Sequence, residues 1–165
     1  MKVSFLATYI AGVMIAVLMA GPVFAAAQTT PAPATVSLKT KVMIEKTVTE
    51  NGTSSTKLVE LKNVVPGDRL VYTFRYRNDG AVAATNYVMI DPLPSAVVLA
   101  PDSATGADLS VDGGKTWGPL ASLKISDGQG GIRSASASDV THLRVTIAQI
   151  APGATGQFEF HAIVR

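Results

Sequence analysis

Between Leu70 and Asn78 the chain alternates with a strict period of two. Leu70, Tyr72, Phe74 and Tyr76 fall on one face, and Val71, Thr73, Arg75 and Arg77 fall on the other. That period predicts a β-strand with one buried and one wetted side. The same reading places Phe158, Phe160, Ala162 and Val164 on the inner face of a closing strand over Gly156–Val164, and Leu143, Val145 and Ile147 on one face of a strand over His142–Ile147. Val36–Val48, rich in Val, Thr and Ile, predicts one long strand or two. Lys57–Val65, Asn86–Asp91, the short Val97–Leu99, Leu109–Val111 and Thr116–Trp117 complete the set.

Turn chemistry separates these runs. Asn51-Gly52, Pro66-Gly67-Asp68, Asn78-Asp79-Gly80, Asp112-Gly113-Gly114 and Pro152-Gly153 supply residues that pre-set φ, accept positive φ or bond nearby backbone amides. Asp91-Pro92 is read as an extended strand exit, because a residue before proline avoids helical geometry. Ser126–Gly131 is read as a Gly-rich loop. No amphipathic helix is evident beyond the first 27 residues. About eight short strands, with turns about every 8 to 12 residues, predict an all-β immunoglobulin-like sandwich over residues 36–165.

The N-terminus has a different pattern. Lys2 precedes an apolar run from Phe5 to Ala20, followed by Gly21-Pro22 and the small-residue stretch Val23-Phe24-Ala25-Ala26-Ala27. Charge, apolar core and small residues are the grammar of a secretory signal peptide, here predicted over residues 1–25 with cleavage after Ala25. The run, at about 16 residues, falls short of the roughly 20 that span a bilayer, so no stable membrane span is expected after processing. Residues 26–35 are Pro- and Ala-rich and are read as an extended linker. The expected address is extracytoplasmic: periplasm, cell surface or medium.

Composition narrows the chemistry. The chain has no cysteine, which removes disulfides, thiolate metal sites and a cysteine nucleophile. Without the leader's single cation, 13 Lys and Arg face 12 Asp and Glu. With no long basic block, a nucleic-acid partner is not expected. His142 and His161, the only histidines, fall on the polar side of their strands and are read as solvated. No Gly-x-Ser-x-Gly elbow is present. Asp102, Asp108 and Asp112 share a loop-rich region but lack the regular spacing of a calcium loop. No catalytic residue, cofactor or metal ligand is expected.

Two segments resemble known families. Val65-Pro66-Gly67-Asp68 through Asn78-Asp79-Gly80, then Ala84–Pro94, then Ile150–Phe160, resemble in that order the signature of the domain-of-unknown-function 11 family. The resemblance covers Val64–Arg165. It implies an immunoglobulin-like module of the kind found, often in tandem, in exported and surface proteins of bacteria and archaea, with no established chemistry; this chain carries one copy. Ser110-Val111-Asp112-Gly113-Gly114-Lys115-Thr116-Trp117 is similar to the Asp-box of sialidases, Ser-x-Asp-x-Gly-x-Thr-Trp. That resemblance implies a structural hairpin rather than a catalytic one, and Trp117 is expected to be its buried anchor.

These readings converge on a non-catalytic extracytoplasmic structural or interaction module whose partner is an envelope or extracellular protein. The alternative is a soluble binding protein for an extracellular ligand such as a glycan, using the loops from Pro101 to Trp117.

Overall fold

Ten strands form three antiparallel sheets in the computed structural model, which describes residues 34–101 and 103–165. The predicted leader, its cleavage point at Ala25, most of the linker and Asp102 lie outside the described residues. Among the described residues there is no α-helix, only two 3-10 turns, Leu120–Ser122 and Ala137–Asp139.

The first sheet starts with a long hairpin. β1 (Val36–Glu50) is a single strand, which settles the choice between one and two. Asn51 (φ 53°) and Gly52 (φ 78°) form a two-residue loop closed by the Glu50–Thr53 pair, and β2 (Thr53–Glu60) returns along β1. Two consecutive positive φ angles match the right-handed twist of the flanking strands, and Asn-Gly adopts them at little cost. β3 (Arg69–Asn78), β5 (Val97–Leu99) and β10 (Thr155–Val164) complete the sheet in the order β2-β1-β3-β10-β5. The second sheet has the order β4-β9-β6, from β4 (Ala84–Pro92), β9 (His142–Ile150) and β6 (Asp108–Ser110). β7 (Lys124–Ser126) and β8 (Ile132–Ser134) pair as a separate hairpin.

One hydrophobic cluster draws on both larger sheets. Ile44, Leu70, Phe74, Phe160 and Ala162 come from the first, and Met89, Leu109 and Leu143 from the second. The alternating residues of β3 and β10 pair in register: Phe160 opposes Tyr72 and stacks on it at 4.6 Å between centroids, and Phe158 opposes Phe74 at 6.4 Å. Phe160 is wholly buried, so truncating it to Ala falls in the class of core changes that cost about 3–5 kcal/mol.

Several expectations need correction. The strand count among the described residues is ten, because Lys124–Ser126 and Ile132–Ser134 flank the Gly-rich stretch as three-residue strands too short to show a period. Thr116–Trp117 is not a strand; the segment is closed by one antiparallel bridge between Leu109 and Gly118. β4 is longer than the predicted Asn86–Asp91: it starts at Ala84 and keeps Asp91 and Pro92 as its last residues, opposite Leu143 and His142. β2 ends at Glu60, leaving 61–68 as the connection into β3.

Candidate functional site

The Asp-box segment is a closed circuit of hydrogen bonds. The Asp112 carboxylate accepts from the Lys115 and Thr116 backbone N–H groups (3.0 and 2.9 Å), from the Thr116 hydroxyl (2.7 Å) and from the Ser110 hydroxyl (2.8 Å). Ser110, fully buried, accepts in turn from the Gly114 N–H at 2.9 Å. These donors, the Thr116 amide foremost, hold the Asp112 carboxyl well below the usual carboxylate range. Gly114 has φ 87°, and a Cβ there would lie 3.3 Å from the Trp117 ring. The loop therefore needs glycine both for its backbone and for the indole's approach.

Trp117 is half-buried, not the buried anchor expected. Its ring meets the edge of His142 at 6.4 Å, and the Arg144 guanidinium sits over its face at 4.7 Å. Arg144 also donates to Asp108 at 2.7 Å from the register partner position on β6. Asp108 and Asp112 are thus both engaged by side chains or backbone of their own neighbourhood. Among the described residues, no group of three or more His, Asp or Glu is arranged to hold a metal ion.

The other turn residues join strand ends together. The Asp68 carboxylate accepts from the Val65 N–H at 3.0 Å and pairs with Lys46, which keeps its carboxyl low. Gly67 (φ 88°) donates its N–H to Val164, which ties this Pro66-Gly67 turn to β10. Asn78 is fully buried: its amide donates to the carbonyls of Val82 (2.7 Å) and Ile150 (2.9 Å), and its oxygen accepts from the Gly80 N–H (3.0 Å). The Pro152-Gly153 turn docks on the same residue through Gly153 N–H to the Asn78 carbonyl, 2.8 Å. Asp91 behaves differently, since burial pushes its carboxyl up.

Neither histidine is simply solvated. His161 accepts at Nδ1 from Arg69 Nε (3.0 Å) and Nη2 (2.8 Å). A guanidinium only donates, so Nδ1 is the acceptor of this pair, and Nε2 faces Glu159 at 3.3 Å. Glu45 closes the cluster, 3.3 Å from Arg69. His142 lies against Trp117, with Nδ1 3.1 Å from the Thr141 hydroxyl. The His161 cluster escapes the sequence because Arg69 and Glu45 come from distant strands, and the His142 contact because Trp117 reaches it from a loop.

Two concavities adjoin on the outer face of the first sheet, of about 630 and 450 Å³, and share Lys39, Arg75 and Gln157. A smaller one of about 290 Å³ lies among the loops after Leu99, lined by small and apolar residues such as Pro101, Ala104 and Leu120, and Trp117 is not on its wall. Among the described residues nothing pairs with the outer edge of β2, and all eight residues of that strand are exposed. Comparison of the chain with protein-family models, with curated proteins and with solved structures finds no match.

Proposed function

We propose that the chain is a non-catalytic module of the exported class, an immunoglobulin-like sandwich of the domain-of-unknown-function 11 type, that acts by surface contact after loss of its leader at Ala25. The observation that carries this reading is the use made of the polar motif residues. Asp68, Asn78 and Asp112 each turn inward to bond strand ends and loops. What faces outward is a sheet face and an unpaired strand edge. A free edge offers main-chain donors and acceptors to an extended segment of another protein, a common mode of recognition. The sandwich reading rests on the two larger sheets sharing one core.

Expression of the full chain in a bacterial host tests the address. N-terminal sequencing of exported material is expected to begin at Ala26, and material beginning at Met1 overturns the leader reading. The contact reading is tested by a photo-crosslinking residue at Thr56 on the β2 edge, with the same residue at Ser134 as the comparison. Adducts with an envelope protein are expected at Thr56 alone; equal labelling at both positions, or none, counts against contact through this edge.

A further inference from the structure

Strand register assembles a stripe of positive charge that no stretch of the sequence contains. Lys39 of β1 stands opposite Arg75 of β3, Lys41 lies one step further along β1, and Arg77 lies one step further along β3. All four are exposed on the outer face. Same-face residues on a strand are about 6.8 Å apart and neighbouring strands about 4.8 Å. The four cations therefore run diagonally over roughly 14 Å, from Lys41 through the Lys39–Arg75 pair to Arg77.

The charge on this stripe is largely uncompensated. Arg77 pairs with Asp79 at 2.8 Å, and the Asp79 carboxyl is held low by Ser37 first, with Arg77 and Lys39 adding to it. Glu159, on the wall of one concavity at the other rim, accepts from the Thr73 hydroxyl (3.1 Å) and faces His161 (3.3 Å), and forms no ion pair with any of the four cations. Among the described residues, no ion pair engages Lys39, Lys41 or Arg75. The stripe lies along the two adjoining concavities, so an incoming chain meets walls as well as charge.

We infer that this face binds a flexible anionic glycan whose charged groups, phosphate or carboxylate, recur about every 5–7 Å, the spacing of the cations. The glycan part of this assignment rests on the exported reading above; the charge stripe does not. A single-stranded nucleic acid offers similar charge spacing, but such ligands gain much of their affinity by stacking bases on aromatic rings. On β3 the rings of Tyr72 and Phe74 pack into the core, and Tyr76, which also borders one concavity, packs against the core and over Gly156, so the stripe offers no row of stacking rings. An acidic peptide is the remaining competitor.

The test uses the protein purified after export from cells expressing the full chain, with calorimetric titration at low and at physiological salt. The probes are polygalacturonate, a phosphorylated mannan, neutral mannan, oligothymidylate and polyglutamate. Binding to polygalacturonate or to the phosphomannan, weakened by salt, is expected, and whichever binds tighter identifies the anion. Lys39→Gln combined with Arg75→Gln is expected to weaken that binding at least tenfold. Lys57→Gln combined with Lys124→Gln, which removes equal charge elsewhere, is expected to leave it within twofold. Equal loss in both double variants, equal binding of neutral mannan, or tighter binding of oligothymidylate or polyglutamate overturns the inference. If neither charged glycan binds while the exported protein still begins at Ala26, the glycan assignment fails and the exported reading stands.

Discussion

Tyr76 of β3 lies over Gly156 of β10, its partner in register, so closely that a Cβ on the glycine would fall inside van der Waals contact of the phenol ring and its hydroxyl. The missing side chain is what lets the ring lie down across the sheet, as an aromatic covers a glycine in other β-sheets. Gly156→Ala is therefore expected to cost about 1–3 kcal/mol as an overpacking change. Shrinking the neighbour with Tyr76→Leu should relieve part of that cost. Denaturant midpoints of the two single variants and the double variant measure the coupling. Strictly additive losses would show that the ring does not need the glycine.

Asn78 ties the end of β3 to the loop after it and to the end of β9 through one buried amide. Its Nδ2 donates to Val82 and Ile150, and its Oδ1 accepts from Gly80. Asn78→Ala strands those groups and is expected to cost about 2–4 kcal/mol. Asn78→Asp should be worse at neutral pH, because a carboxylate would face two carbonyl oxygens. Burial and those oxygens would raise the new carboxyl, so its protonated form is the one the fold accepts. The deficit relative to the parent protein should be constant above that raised value and shrink as pH falls from it towards the unfolded value, about 3.9. A deficit independent of pH between 4 and 8 would be evidence against this geometry.

Acid should erode the Asp-box before it erodes the core. The Asp112 carboxyl is depressed by the Thr116 amide first, then by the Thr116 and Ser110 hydroxyls. A group depressed on folding stabilises above its unfolded value, about 3.9 for Asp, and that stabilisation is lost as pH falls through the folded value. Asp139, lowered chiefly by Arg133, and Asp68, lowered chiefly by Lys46, add to the same loss. Asp91 works against it: its carboxyl is raised, so between its unfolded and folded values stability falls as pH rises. Asp112→Asn should melt below the parent protein at pH 7, with the gap closing towards pH 2. A constant gap across that range rules the mechanism out.

The local parts of this fold were legible in the sequence and the long-range ones were not. β3 and the inner face of β10 follow from alternation alone, since Leu70, Phe74, Phe160 and Ala162 all reach the core. The Asn51-Gly52 loop follows from the backbone freedom of its two residues. The contact between Arg69 and His161 does not, because the two are 92 residues apart and meet only through strand pairing. The cationic stripe escapes for the same reason. Lys39 and Lys41, or Arg75 and Arg77, each look like the wetted side of an ordinary strand, and only the Lys39–Arg75 register makes them one surface. The proline after Asp91 marks a strand exit in the sequence, and the pairing of Pro92 with His142, which carries β4 one residue further, is visible only in the fold.

Trp117 should be the most sensitive position of the Asp-box, but less so than a core aromatic. Its indole is half-buried, with Arg144 over one face and His142 at its edge. A fully buried Trp→Ala change costs about 3–5 kcal/mol; with part of the ring in water, about 2 kcal/mol is expected here. Asp112→Ala should cost less than Trp117→Ala, and Lys115→Ala should leave stability unchanged, because Lys115 contributes its backbone N–H to the loop and its side chain is exposed. The Arg144 contact is separable. A double-mutant cycle between Trp117→Ala and Arg144→Ala should show a coupling of about 0.5–1 kcal/mol, the range of a cation over an aromatic face near the surface. Denaturant melts of these variants fix the order. If Trp117→Ala leaves the midpoint unchanged and abolishes glycan or partner binding, the loop is a binding site and the stability role assigned to its indole is wrong.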